Sequence, residues 1–157
     1  MEKIRRRRLA RPHSVWDGRV MNPDRLAPLP IFAALSGEER ARVAAAMEAV
    51  SVETGETLCL QGEFAYQFFV IEEGTADVLT DGAHVAELSV GDCFGEIGLL
   101  VTGRRVASVV ARTPMRLFVS FEQPFRALTQ DIPALTEHIR AVLRERPWSP
   151  ALTGGRR

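Results

Sequence analysis

Short apolar runs broken by glycine fill the middle of the chain, and this pattern constrains the fold most. From Val50 onward the runs are short, and glycines stand between the earlier ones at positions 55, 62, 74, 82 and 91. The Asp81-Gly82 pair lies between two alternating runs and predicts a tight β-hairpin. Many short strands with frequent turns favour a sandwich or roll over a sheet of βαβ units. The predicted strands are Val50–Val52, Thr57–Leu60, Gln67–Ile71, Thr75–Leu79, His84–Leu88, Cys93–Phe94, Ser108–Ala111 and Met115–Ser120.

Helical patterns flank this region on both sides. Ser36 with Glu39 three positions later predicts a capping box, and apolar residues recur at helical spacing from there up to about Ala49. Phe121–Leu128 and Ile132–Arg146 are predicted as two further helices. The apolar face of the last helix consists of Leu135, Ile139, Val142 and Leu143. The predicted fold is mainly β with flanking helices: an eight-stranded β-roll (a double-stranded β-helix or jelly roll) with an N-terminal helix and two C-terminal helices.

Length and charge narrow the classes of protein. The 157 residues suffice for one domain, and 20 basic residues balance 20 acidic ones, so nothing favours nucleic acid or an anionic membrane as the main partner. No segment has the apolar length of a membrane span. Two cysteines, Cys59 and Cys93, form neither a disulfide framework nor a metal motif, which favours a cytoplasmic setting.

The ends of the chain differ from its middle. Residues 1–11 carry six basic side chains and one acidic one. Such a composition is typical either of a solvated terminus or of a tail that binds phosphate groups or lipid. We expect residues 1–29 to form a basic, flexible tail and linker. Residues 30–146 then form the domain, and residues 147–157 a flexible C-terminal tail.

A glycine-rich segment interrupts the strands and carries the chemistry. It runs Phe-Gly-Glu-Ile-Gly-Leu-Leu over residues 94–100, and Arg105 follows nine positions after Glu96. Gly95 and Gly98 let a ligand approach the backbone, and unpaired N–H groups at a helix start attract anions. A guanidinium can contact two phosphate oxygens at once. Glu96 beside such a site suits the hydroxyl of an attached sugar.

These residues resemble the phosphate-binding cassette of the cyclic-nucleotide-binding domain family, which includes catabolite activators, kinase regulatory subunits and cyclic-nucleotide-gated channels. The family pattern appears as residues 94–100 followed by Arg-Val-Ala-Ser at 105–108, with upstream turns and strands in the expected places. The resemblance implies that Arg105 pairs with the cyclic phosphate and Glu96 accepts from the ribose 2′-hydroxyl. It also implies backbone N–H donors at Gly95, Ile97 and Val106.

Further roles follow from the same resemblance. Ser108 would place a hydroxyl near the phosphate or base, and Ile132–Arg146 would be the lid over the base. Family members tuned to cGMP often carry Thr directly after the arginine, whereas this chain has Val106, which favours cAMP and leaves cGMP as an alternative. Arg104 replaces the proline of many members, as in the gated channels, and is expected to face solvent.

Two functions remain open at this point. The first is a cyclic-nucleotide sensor that holds cAMP and signals through its last helix to an unknown effector protein. The second is a degenerate roll that serves as a protein-interaction platform without nucleotide. We expect no catalysis, no cofactor, no metal site (His13, His84 and His138 are isolated in sequence) and no nucleic-acid partner. The pattern leaves open whether the protein forms a homo-oligomer.

Overall fold

The structure is a computed structural model that describes residues 22–95 and 103–145, apart from the side chain of Leu143. The strands are β1 (Glu48–Val52), β2 (Thr57–Cys59), β3 (Gln67–Glu73), β4 (Ala76–Thr80), β5 (Ala83–Leu88), β6 (Cys93–Phe94), β7 (Ser108–Ala111) and β8 (Met115–Phe121). The helices are a 3-10 helix (Pro23–Arg25), α1 (Pro30–Ala33), α2 (Gly37–Ala45), α3 (Glu122–Asp131) and α4 (Pro133–Arg144). The predicted fold class is confirmed, and each predicted strand is present with its ends moved by at most two residues.

Two four-stranded antiparallel sheets form the roll, with strand orders β1-β8-β3-β6 and β2-β7-β4-β5. Successive side chains of a strand point to opposite faces, so the central strands serve two cores. In β3, Phe69 and Ile71 lie in the core between the sheets, whereas Phe68 and Val70 lie in a second core beneath the helices. We call these the roll core and the helix core. The helices are therefore packed on one outer face of the roll.

The predicted hairpin joins β4 to β5. Thr80 pairs with Ala83, and the two residues between them, Asp81 and Gly82, have φ values of 53° and 84°. Two successive positive φ values match the right-handed twist of a two-residue hairpin, and Asp and Gly are residues that adopt them at low cost. The hairpin prediction is confirmed.

The described domain begins earlier than the sequence predicts. Residues 22–29 were expected in the flexible tail, yet Leu26 is fully buried and Leu29 is 4% exposed. Arg25 explains the attachment, because its Nε and Nη2 donate to the carboxylate of Glu72 at 3.1 and 2.6 Å. This part of the predicted tail therefore packs on the domain.

The helices that precede the roll in sequence contact those that follow it, and these contacts form part of the helix core. The Ser36–Glu39 capping box is present and begins α2. The helix predicted at Phe121–Leu128 begins one residue later, because Phe121 still pairs with Gln67 in the sheet, and it runs on to Asp131. No helix among the described residues is long and apolar enough to cross a membrane.

The last helix, α4, was predicted to run from Ile132 to Arg146, and the described helix is shorter. It runs from Pro133 to Arg144, and its predicted residue 146 lies outside the described residues, as does the side chain of Leu143. Leu135 and Ile139 are 1% and 0% exposed, and Val142 packs partly against the same core. The described part of the predicted apolar face, Leu135, Ile139 and Val142, therefore packs against the rest of the domain.

Candidate functional site

Arg105 is almost fully buried despite its charge. Its side chain lies beside Gly95, and the residue is only 5% exposed. Nη1 donates to the carbonyl oxygen of Gly95 at 3.2 Å, and Nη2 donates to the carbonyl oxygen of Gln67 at 2.9 Å. Among residues 22–95 and 103–145, Nε has no hydrogen-bond partner and no carboxylate lies within 4.0 Å of the guanidinium. Among the described residues, the hydrogen-bond acceptors of this cation are therefore two backbone carbonyls.

The main chain of Arg105 is fixed by the loop between β2 and β3. Its N–H donates to the carbonyl oxygen of Glu63 at 2.8 Å, and its carbonyl oxygen accepts from the N–H of Gly62 at 2.9 Å. The neighbouring Arg104 is exposed, donates to the carbonyl oxygen of Gly62 at 2.8 Å and lies over the ring of Phe64 at 4.1 Å. Arg104 therefore faces the surface, as predicted, while Arg105 points inward.

Gly95 is required by the position of Arg105. Its φ is +95°, a conformation that side chains rarely adopt. A Cβ at this position would lie 2.6 Å from the carbonyl oxygen of Gln67 and 2.8 Å from Nη1 of Arg105. The absence of a side chain at Gly95 therefore lets the guanidinium reach its place.

The ring of Phe69, which is stacked on that of Phe94, forms the floor beneath the guanidinium. Phe69 and Phe94 are stacked, with their centroids 4.6 Å apart and their planes 9° from parallel. The guanidinium carbon of Arg105 lies 5.7 Å from the centre of the Phe69 ring. Both rings belong to the roll core, so this floor is rigid and positions Arg105 from below.

Val106 and Ser108 follow Arg105 closely in sequence, but their side chains point in other directions than that of Arg105. Val106 is half-buried and contacts both the roll core and the helix core. The residues on either side of Ser108, Ala107 and Val109, belong to the roll core, so Ser108 points away from it. Its hydroxyl oxygen accepts from the N–H of Gln61 at 3.0 Å. A contact between Ser108 and a ligand stays a prediction.

The structure brings Gly95 and Arg105 together, as predicted, and leaves two predicted residues undescribed. Glu96 and Ile97 lie outside the described residues, so their roles also stay predictions. Sequence reasoning missed the carbonyl of Gln67, the ring of Phe69 and the amide of Gln61. The position of a backbone carbonyl cannot be inferred from residue type, because every residue has one. Phe69 lies in an apolar strand, where the sequence predicts only a core position. Only the polar Gln61 beside Gly62 offered a signal.

These features define a β-roll in which an almost fully buried arginine lies against a glycine. Residues 49–131 match the family described as cyclic nucleotide-binding domain, which is more than half of the chain. The chain belongs to the cyclic nucleotide-binding domain family, and the resemblance read from the cassette is confirmed.

Relatives in this family have different overall functions. A cyclic nucleotide-gated potassium channel of Rhizobium etli is 32% identical over 131 residues, which cover 83% of this chain and 37% of the channel. A cAMP-dependent protein kinase regulatory subunit of Schizosaccharomyces pombe is 34% identical over 107 residues, covering 68% of this chain and 26% of the subunit. The chain thus spans only 26–37% of the length of these two relatives.

A solved structure supports the fold in detail. It is the regulatory subunit of a cAMP-independent protein kinase A from Trypanosoma cruzi bound to guanosine, with 26% identity and a TM-score of 0.72. The match covers 84% of this chain and 48% of that one. The same roll therefore also occurs in a protein whose bound nucleoside, guanosine, carries no phosphate.

Proposed function

We propose that this domain binds cAMP, in preference to cGMP, and reports the binding through α4 to a separate effector protein. The observation that carries the proposal is the buried guanidinium of Arg105, which has no carboxylate partner among the described residues. The relatives named above supply the context, because one is a gated channel and one is a kinase regulatory subunit.

The electrostatics of Arg105 favour a bound anion. Removing an ion from water costs several kcal/mol, and fixed carbonyl dipoles recover only part of that. At 5% exposure, with Nε lacking a partner, the guanidinium retains unused donors in a largely dry setting. A phosphodiester can accept two parallel hydrogen bonds from one guanidinium, which adds geometric selectivity to charge neutralisation. A neutral nucleoside offers no such group.

The sugar contact is proposed from the family pattern. Glu96 follows directly in sequence after Gly95, whose carbonyl oxygen accepts from Nη1 of Arg105. We assign Glu96 the ribose 2′-hydroxyl and Ile97 a backbone N–H to the phosphate. We assign the remaining backbone donors to Gly95 and Val106.

The preference for cAMP is proposed from Val106. A hydroxyl in this position can bond both the phosphate and a guanine amino group, and valine lacks it. Val106 also contacts both cores, so a ligand that moves this residue affects the packing of the helices. This contact gives the site a physical route to α4, whose Ile139 is fully buried in the helix core.

The output is proposed to be a protein contact and not a chemical reaction. We place the domain in the cytoplasm, because its two cysteines, Cys59 and Cys93, are too few for the disulfide framework of a small secreted domain. Binding shifts the helix equilibrium by the difference in cAMP affinity between the two states. The effector protein then binds the domain differently according to the position of α4.

Paired arginine variants test the binding proposal. Arg105→Ala removes the charge-assisted hydrogen bonding to the phosphate, which is worth about 1.5–3 kcal/mol in total, so the Kd for cAMP should rise about 10- to 150-fold. Arg104→Ala is the matched control, since Arg104 is exposed and contacts Phe64 and Gly62. Calorimetric titration of both variants decides. Equal losses would show that Arg105 is not the anchor, and a wild-type protein that binds no cyclic nucleotide would favour the interaction platform.

A further inference from the structure

Gln61 connects three parts of the domain that meet at the end of one sheet. It lies just after β2, and its N–H donates to Oγ of Ser108 at the start of β7, at 3.0 Å. Its side-chain oxygen accepts from the N–H of Asp81 at 2.8 Å, and its Nε2 donates to Oδ1 of Asp81 at 3.1 Å. In this sheet β7 lies between β2 and β4. Gln61, at the end of β2, therefore bonds both to the start of β7 and, across it, to the tip of the β4–β5 hairpin.

The same loop holds Arg105. The two residues after Gln61 bond the main chain of Arg105 on both sides, through the N–H of Gly62 and the carbonyl oxygen of Glu63. A displacement of Arg105 by a bound ligand therefore acts on residues 61–63. From there it reaches the hairpin tip through the side chain of Gln61. The tip leads directly into β5, an edge strand with mostly exposed side chains.

The geometry points to Gln61 as a positioning residue that couples the Arg105 segment to the hairpin tip at Asp81 and Gly82. This inference rests on the proposed function for its ligand. It assigns the hairpin a role as a second ligand-responsive element, remote from α4. Because Ser108 faces away from the roll core, its hydrogen bond to Gln61 also gives Ser108 a part in this coupling.

Amide hydrogen exchange in the ligand-free protein tests the coupling without any ligand. Gln61→Ala removes both side-chain bonds and keeps the N–H that bonds Ser108. We expect exchange to become several-fold faster at the amides of Asp81, Gly62 and Arg105. Gln130→Ala, which changes an exposed glutamine of α3, is the matched control and should change none of them. Faster exchange at Asp81 with an unchanged Arg105 amide would overturn the coupling.

Titration with cAMP tests the positioning role. In the wild type, cAMP should slow exchange at residues 80–83, and Gln61→Ala should abolish that slowing and raise the Kd three- to tenfold. Asp81→Gly, which keeps the positive φ and removes the carboxylate, should have a similar effect, and the double variant should add little more. A purely structural role would lower the melting temperature and leave the Kd unchanged, which would overturn the inference. A wild type that binds no cAMP would refute the proposed function, while the ligand-free arm would still decide the coupling.

Discussion

Two glycine-to-alanine substitutions separate backbone strain from the placement of Arg105. Gly55 and Gly95 have nearly the same conformation, with φ of +91° and +95°. A Cβ on Gly55 meets nothing within 4 Å, whereas a Cβ on Gly95 meets Nη1 of Arg105 at 2.8 Å and a carbonyl oxygen at 2.6 Å. Both variants carry the strain of a positive φ, about 1–2 kcal/mol. Only Gly95→Ala adds a collision, about 1–3 kcal/mol by analogy with overpacked cores.

The two variants should therefore differ in stability and, more sharply, in binding. At roughly 2–4 °C per kcal/mol for a chain of this size, Gly55→Ala should lower the melting temperature by about 2–8 °C and Gly95→Ala by about 4–20 °C. Gly55→Ala should bind cAMP as the wild type does. Gly95→Ala should lose at least tenfold in affinity, because the guanidinium must move away from its carbonyl partners.

Differential scanning fluorimetry and calorimetric titration on the same preparations measure both effects. The titrations are carried out near 10 °C, well below the expected melting temperature of either variant, so that both variants are folded. If Gly95→Ala binds cAMP with wild-type affinity, Arg105 does not need the space that Gly95 provides, and our description of the site is wrong. Equal losses of affinity in both variants would attribute the effect to general destabilisation.

Three further predictions concern selectivity, the lid and the helix start. Val106→Thr should raise the affinity for cGMP relative to cAMP by one hydrogen bond, about 0.5–1.5 kcal/mol, and competition binding that shows an unchanged ratio would remove the selectivity argument. Added cAMP should slow amide exchange in α4, and Ile139→Ala, which empties a fully buried position, should weaken that protection; a helix that exchanges as before would mean that it is not the lid. Ser36→Ala should cost about 1 kcal/mol by removing the capping box of α2, seen as a lower melting temperature with unchanged cAMP affinity.

The strands could be predicted closely because their punctuation is local. Glycines with positive φ, such as Gly74 and Gly91, end the apolar runs where the backbone turns, so the sequence marks the boundaries directly. The start of α3 was predicted one residue too early, at Phe121, because this residue type suits a strand end and a helix start equally well. Its pairing with Gln67 decides, and that pairing is a long-range contact.

Residues 22–29 were misassigned for the same reason. Their sequence has no periodicity, and their attachment depends on an ion pair between Arg25 and Glu72, which are 47 positions apart. Nothing near Arg25 in the sequence indicates that contact. Local patterns therefore predict the elements, whereas the packing of irregular segments depends on contacts that only the folded chain brings together.

The site followed the same division. Gly95 and Arg105 were predicted from the family pattern, and the structure places them in contact. The direction of Ser108 depends on which face of β7 meets the roll core, and its partner Gln61 comes from another strand connection. The carbonyl of Gln67 could not be predicted, because every residue carries the same group.

A comparison of cAMP with adenosine tests the central claim most directly. The two ligands share the purine and the ribose, and they differ in the cyclic phosphate that we assign to Arg105. Calorimetric titration of the wild-type chain should give an affinity for cAMP at least tenfold above that for adenosine, and Arg105→Ala should reduce this ratio towards one. If adenosine or guanosine binds the wild type as tightly as cAMP does, the buried guanidinium is not a phosphate anchor and the domain is not the cyclic-nucleotide sensor proposed here.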